Sequence, residues 1–265
     1  MPCSMSTLGE RFAFLPRFRC EEELAAGGRV ELVGEEAHHA LRVRRLRPGD
    51  ALALVNGRGT TARGTILRLT ANGFFVGIEE TAERLGELPQ KIVLYLALVK
   101  HRRFEEALYM AVELGVSAVI PLVSERSVAR PNPERLPELL SRWRRVAWEE
   151  TKLCERSVVP AVGAPVDLAT AANCSACNHK IILTPRRGAP ALDRLVENLG
   201  AREGERIALV VGPEGDFTDT ELTYALARGC REASLGDRLL RSEVAGVAAV
   251  TATLAGLGAL EEFKR

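Results

Sequence analysis

The charges best placed for chemistry stand in one short stretch, Leu235-Gly236-Asp237-Arg238-Leu239-Leu240-Arg241-Ser242-Glu243. Arg238 and Arg241 flank two leucines. Glu243 then opens a run rich in small residues, among them Ala245, Gly246, Ala249, Ala252 and Gly256, which let another backbone pack closely. Two guanidiniums and a carboxylate at a helix entrance can position an anionic RNA and polarise a base. A surface ion-pair cluster would use the same residues. A second segment, Ile207 to Thr218, is an apolar run ending in Gly212-Pro213-Glu214-Gly215. Its glycines let backbone approach a flat ligand, and Pro213 fixes the turn. Open α/β sheets bind ligands in such loops, at the carboxyl ends of strands. An ordinary tight turn between strand and helix fits the same residues. Thr218, with Glu221 three residues later, predicts a capping box that starts the next helix.

A parallel sheet is needed to present both segments, and most of the chain reads as one. Ile92 to Leu98 is a continuous apolar run, and Phe104, Ala107, Leu108, Ala111 and Leu114 recur at helical spacing before Gly115. Strands are predicted at Val119 to Leu122, Lys180 to Leu183, Ile207 to Val211 and Ala233 to Leu235. A long helix is predicted from Leu136 to about Cys154 and a last one from Ser242 to about Leu260. This alternation predicts an α/β domain with a mostly parallel sheet covered on both faces. Before Glu80 the apolar runs are short (Ala51 to Val55, Thr65 to Leu67, Phe74 to Val76), with turns at Pro48-Gly49-Asp50, Asn56-Gly57 and Asn72-Gly73. They predict a small β-barrel interrupted by one helix around Glu35 to Val43. Thr81 to Gln90 reads as a linker, giving domains at 1–82 and 91–265.

The chain has 265 residues, 46% hydrophobic and 27% charged, the balance of a folded rather than a disordered protein. Net charge is +1, so any nucleic-acid contact must come from a local patch. Arg42, Arg44, Arg45 and Arg47 form the densest basic stretch, read as phosphate contacts or as a solvated basic face. His38 and His39 beside it either touch RNA or are structural. No run of 18 apolar residues predicts a membrane helix, and Met1 to Glu10 has no basic segment leading into an apolar one. A cytoplasmic protein with free thiols is expected. Cys174-Ser175-Ala176-Cys177 lacks two further nearby ligands, so no metal is expected.

Taken in order, these blocks resemble the bacterial 16S ribosomal RNA uracil-N3 methyltransferases of the SPOUT superfamily. The resemblance rests on Gly212-Pro213-Glu214-Gly215 followed by Leu235 to Glu243, and on His38-His39-Ala40-Leu41-Arg42-Val43 with Pro48-Gly49-Asp50. Lys100, Glu113-Leu114-Gly115-Val116, Pro121 to Ser127, Arg142-Trp143, Arg156 and Pro160 extend it over nearly the whole chain. It implies a C-terminal domain with a trefoil knot, a small N-terminal PUA-like RNA-binding barrel, and a homodimer acting on 16S ribosomal RNA within the small subunit. It also implies S-adenosylmethionine as cofactor, held by Leu183 and Thr184, by Gly212, Pro213, Glu214 and Gly215, and by Leu235, Gly236, Leu239 and Leu240. His39, Arg42, Arg44, Arg45 and Arg126 are the candidate RNA contacts.

Uracil N3 carries a proton and is a poor nucleophile at neutral pH. Methyl transfer therefore needs that proton removed, or the resulting anion stabilised. Arg241 is the candidate stabiliser. Glu243 is the candidate proton acceptor or orients Arg241, and Glu214 is the rival base. The chain departs from the family pattern at Met110 and Val112 (Lys and Thr), Lys152-Leu153 (Glu-Gln), Asp216 (Gly) and Val244 (Thr). The Lys152-Leu153 change keeps open a related methyltransferase with a different RNA target. A non-catalytic RNA-binding or ribosome-assembly protein is the alternative from another class, disfavoured by the intact Arg241 and Glu243.

Overall fold

Alternation of apolar and polar residues builds the first sheet, as the period of two along a strand requires. The computed structural model describes residues 11–99, 101–185 and 188–260. Its first sheet contains β1 (Arg17–Arg19), β2 (Arg29–Val33), β3 (Ala51–Val55), β4 (Thr60–Leu69) and β5 (Gly73–Glu83), in the order β1-β3-β4-β5-β2. β1 runs parallel to β3 and the other pairs are antiparallel. Register shifts between Arg63 and Gly64 and between Ile66 and Arg68 curl the long β4–β5 pair. Among the described residues the five strands form an open path rather than a closed ring. Phe18, Leu32, Leu52, Leu54, Ile66 and Phe74 form the core of this sheet. The helix expected around Glu35 to Val43 is present in two parts. An α-helical turn, α1 (Gly34–His38), continues into a π-helical turn, His39–Val43, and Ala37 and Ala40 enter the core.

Two compact units result, one reaching Glu87 and including Trp148–Val159, the other containing Leu88–Ala147 and the chain from Pro160. The segment read as a linker is more ordered than its composition suggests. β5 continues through Glu83, and Glu87 forms a buried ion pair with Arg156 at 2.7 Å. The Glu87 carboxylate also accepts from the backbone N–H groups of Ser157 and Val158. A buried charge needs such partners, and these residues supply them.

The second sheet is all parallel. It contains β6 (Lys91–Ala97), β7 (Ala118–Val123), β8 (Ala161–Val162), β10 (His179–Leu183), β11 (Arg206–Val211) and β12 (Arg231–Ala233), in the order β12-β10-β11-β6-β7-β8. A short strand β9 (Val166–Asp167) also pairs with β7. Its helices are α2 (His101–Glu113), α3 (Leu136–Leu153), α4 (Leu168–Ala172), α5 (Leu192–Glu197), α6 (Asp219–Ala227) and α7 (Ser242–Gly256). Val93, Tyr95, Ile182, Ala208 and Val210 cluster on one face with Leu168 of α4 and Leu222 of α6. On the other face α7 packs on β6 and β11 and against α2 and α5. A Cβ at Gly246 would come within 2.9 Å of Leu96, so the small-residue helix sits as close to the sheet as its composition allows. Trp143 is fully buried, its ring 4.6 Å from that of Phe104.

Three expectations are corrected. The last strand ends at Ala233 rather than Leu235, because Ser234 makes only an isolated bridge to Ala191. α7 ends at Gly256 rather than near Leu260. Cys174 and Cys177 are not free: the turn after α4 brings their Cα atoms to 5.5 Å, and they form a disulfide. Cys20 and Cys230 are free and buried.

Candidate active site

β10, β11 and β12 end at the same edge of the second sheet, and their exits surround a cleft of about 530 Å³. Leu183, Thr184 and Pro185 line it from β10. Val211, Gly212, Pro213, Glu214 and Asp216 line it from β11. Leu235, Gly236, Arg238, Leu239 and Leu240 follow β12, and Ser242 and Ala245 come from α7. Of the ten residues expected to hold a cofactor, all but Gly215 lie on this wall.

Local sequence explains why the loops take this shape. Gly212 has no room for a side chain, since a Cβ there would lie 2.9 Å from the Phe217 ring. The Ser242 hydroxyl donates to the Gly212 carbonyl at 2.9 Å, joining the start of α7 to the β11 turn. Gly236 takes φ +94°, a left-handed geometry that L side chains rarely adopt. Asp216, where the family pattern has glycine, also takes a left-handed φ of 60°. The predicted capping box is present. Thr218 Oγ1 accepts from the Glu221 N–H at 3.2 Å, and Glu221 Oε2 accepts from the Thr218 N–H at 2.9 Å.

Arg241 is the N-cap of α7, and Glu243 lies in that helix's first turn, where the helix dipole favours a carboxylate. The Glu243 side chain is only 8% exposed, and its Oε1 lies 3.7 Å from both Arg241 Nη1 and Arg103 Nε. Its other oxygen is buried and has no hydrogen-bond partner. Buried carboxylate oxygens are rarely left so, and such an atom can accept a proton or a hydrogen bond from a bound group. Arg103 was not singled out in the sequence. It also bonds Glu214 Oε1 at 3.3 Å, so one guanidinium touches both candidate bases. No local signal marks Arg103, because it lies on the charged face of α2, 111 residues from Glu214.

The candidate RNA contacts separate. His39, Arg42, Arg44 and Arg45 are exposed on or just after the π-helical turn of the first unit. Arg126 belongs to the second unit, where it donates to the Gly215 carbonyl at 2.9 Å and so supports the β11 loop. Lys100 lies outside the described residues. Among the described residues no cluster of three or more His, Cys, Asp or Glu is arranged to hold a metal, and no helix is long and apolar enough to cross a membrane.

Comparison with known proteins defines the class. An RNA methyltransferase domain model matches residues 86–254, and an RNA methyltransferase PUA domain model matches residues 32–79. The fold is thus an α/β methyltransferase fold with a PUA-like N-terminal domain. The chain belongs to the RNA methyltransferase family that includes the proteins named ribosomal RNA small subunit methyltransferase E. Such a protein from Synechocystis is 34% identical over 88% of this chain and 74% of its own length. One from Mycobacterium bovis is 30% identical over 85% and 86%. Two solved structures have the same fold over 91% of this chain and 97% of theirs. One is a putative methyltransferase from Legionella pneumophila in complex with SAM (TM-score 0.78, 29% identity). The other is a ribosomal RNA small subunit methyltransferase E from Neisseria gonorrhoeae bound to S-adenosyl methionine (TM-score 0.76, 27% identity).

Proposed function

We propose that this chain is a cytoplasmic S-adenosylmethionine-dependent methyltransferase that modifies N3 of a uridine in 16S ribosomal RNA. The observation that carries the reading is the strand-end cleft with a buried carboxylate beside it, one oxygen facing two arginines and the other unpartnered. The cleft fits the cofactor by its chemistry. Leu183, Val211, Leu235 and Leu239 offer apolar surface to a flat ring, and the loop backbones at the strand ends offer polar groups. When bound, the cofactor supplies an electrophilic methyl group.

The chain's own residues do the rest. Glu243 accepts the N3 proton, so that N3 attacks as an anion. Arg241, exposed at the mouth of the helix, stabilises negative charge on a uracil carbonyl. Arg103 positions Glu243 and keeps Glu214 engaged. Positioned proton acceptors contribute about 10²- to 10⁴-fold. A bound cofactor would supply the methyl group to N3, and the N3 proton would leave on Glu243.

In this reading residues 1–82 form a PUA-like RNA-binding barrel, whose exposed His39, Arg42, Arg44 and Arg45 meet RNA. Residues 91–265 form a knotted SPOUT domain. The placement of β12 at the sheet edge beyond β10, followed by the return of α7 onto β6 and β11, supports the knot. Leu239 and Val244 are apolar and exposed beside the cleft, which supports a homodimer that covers them. The test is transfer of labelled methyl from S-adenosylmethionine to small-subunit RNA. Wild type should label the RNA. Glu243→Gln should slow single-turnover transfer at least about 100-fold with cofactor affinity retained. Cofactor binding without any transfer to RNA would contradict the assignment.

A further inference from the structure

The first unit carries a cavity of its own, about 770 Å³ and open to solvent, with Phe14, Arg17, His39, Arg44, Glu149 and Glu155 among its walls. We propose that it takes one unpaired nucleotide of the RNA substrate, with the base in the cavity and its phosphate at the Arg44 rim. The proposal rests on the RNA methyltransferase reading above and adds a base-binding site remote in sequence from the methyl-transfer cleft.

Three features carry it. Phe14 is 94% exposed yet fixed, because its backbone N–H donates to Glu155 Oε1 at 2.9 Å and its φ is +61°. A bulky residue avoids that backbone region, and such strain gathers at ligand sites. Glu155 in the cavity wall, and Arg45 next in sequence to the lining residue Arg44, share the left-handed geometry at φ 64° and 58°. An aromatic ring held out in water is a stacking platform for a base.

Arg17 is the second feature. Its side chain is 3% exposed, and Nη2 donates to the Phe12 carbonyl at 3.2 Å and lies 3.4 Å from Glu155 Oε2. Its Nε and Nη1 are buried without a hydrogen-bond partner. Burial pulls its pKa below the ordinary arginine value, with Glu155 opposing. These donors call for an acceptor such as a base carbonyl or ring nitrogen.

The third feature is charge. Glu149 and Glu155 can accept from base amino groups and would repel a bare phosphate inside the cavity. Lys152, where the family pattern has Glu, is already engaged by Glu36 at 2.7 Å and Glu149 at 3.0 Å. Arg44, also in the cavity wall, is an exposed cation.

The test is fluorescence anisotropy of the full chain with labelled single-stranded RNA. The probes are oligo(U), oligo(A) and an abasic ribose-phosphate oligomer of equal length. Wild type should bind the base-bearing probes more tightly than the abasic one. Phe14→Ala should weaken the base-bearing probes about 5- to 100-fold, the range for losing one stacked base, and leave the abasic probe unchanged. Arg17→Lys should also narrow the difference between base-bearing and abasic probes. Because Arg17 is buried, the exposed Phe14 variant keeps the test valid if Arg17→Lys fails to fold. Equal binding of all three probes by wild type, lowered only by Arg42→Ala and Arg45→Ala, would mean phosphate contacts alone and would overturn the proposal. In that case methyl transfer to RNA would persist, whereas failure of the enzymatic reading would abolish transfer with every variant.

Discussion

Arg103 holds two carboxylates at once, and the chemistry assigned to Glu243 depends on that grip. Removing it leaves Glu243 with Arg241 alone and releases Glu214. Arg103→Ala should slow single-turnover transfer about 10-fold or more while cofactor Kd stays within about twofold, and Arg103→Lys should restore part of the rate. Equal losses in cofactor affinity and rate would make Arg103 merely structural. Asp216 gives a second test at this scale. Asp tolerates left-handed φ better than most residues, so it can stand where the resemblance implies a glycine. Asp216→Gly should therefore leave cofactor affinity within about twofold by titration calorimetry, since glycine takes that φ freely. A larger loss would show that the Asp216 side chain itself holds the cofactor. The sequence singles out Arg241 and Glu243 as candidates because they are near neighbours before a helix. It does not single out Arg103, because its meaning arises only when α2 and α7 pack together.

Elements were read best where one local rule decides them. The capping box at Thr218 and Glu221 formed as its residues predict, because both partners lie within one turn. The apolar pattern puts β12 two residues late because Ser234 and Leu235 are as strand-like as their neighbours, and only the pairing with β10 ends the strand at Ala233. The π-helical turn at His39 to Val43 has no period that separates it from the α-helix before it. Asp167 supplies a prediction at this scale. It caps α4 by accepting from the Thr170 N–H at 2.8 Å, and hydrogen bonding to the Thr170 side chain first, and to its N–H next, holds its carboxyl below the ordinary aspartate pKa. A depressed folded-state pKa means the cap stabilises above the unfolded value and is lost as pH falls through the folded one. Asp167→Ala should cost about 1 kcal/mol at neutral pH in urea unfolding. The cost should shrink as pH drops from about 4 through the lower native value. A penalty independent of pH would contradict the role of the ionised cap.

At the level of the whole molecule, strand–helix alternation announced the parallel sheet, and short runs with glycine turns announced the smaller first sheet. The membership of Trp148–Val159 in the first unit was invisible, because those residues continue a helix begun in the second. The disulfide escaped notice for a related reason: spacing alone does not show that a turn brings Cys174 and Cys177 together. The cleft, by contrast, gathers nearly all of the residues expected to hold a cofactor, from three stretches between Leu183 and Leu240. The central claim is that this cleft delivers a methyl group to one nitrogen of one base. It is tested most directly by digesting small-subunit RNA treated with the protein and S-adenosylmethionine and identifying the modified nucleoside by mass spectrometry. Wild type should yield 3-methyluridine, formed at least about 100-fold more slowly when Glu243→Gln replaces it in a single-turnover reaction. A methyl group on another base, on the ribose, or at undiminished level with Glu243→Gln would contradict it.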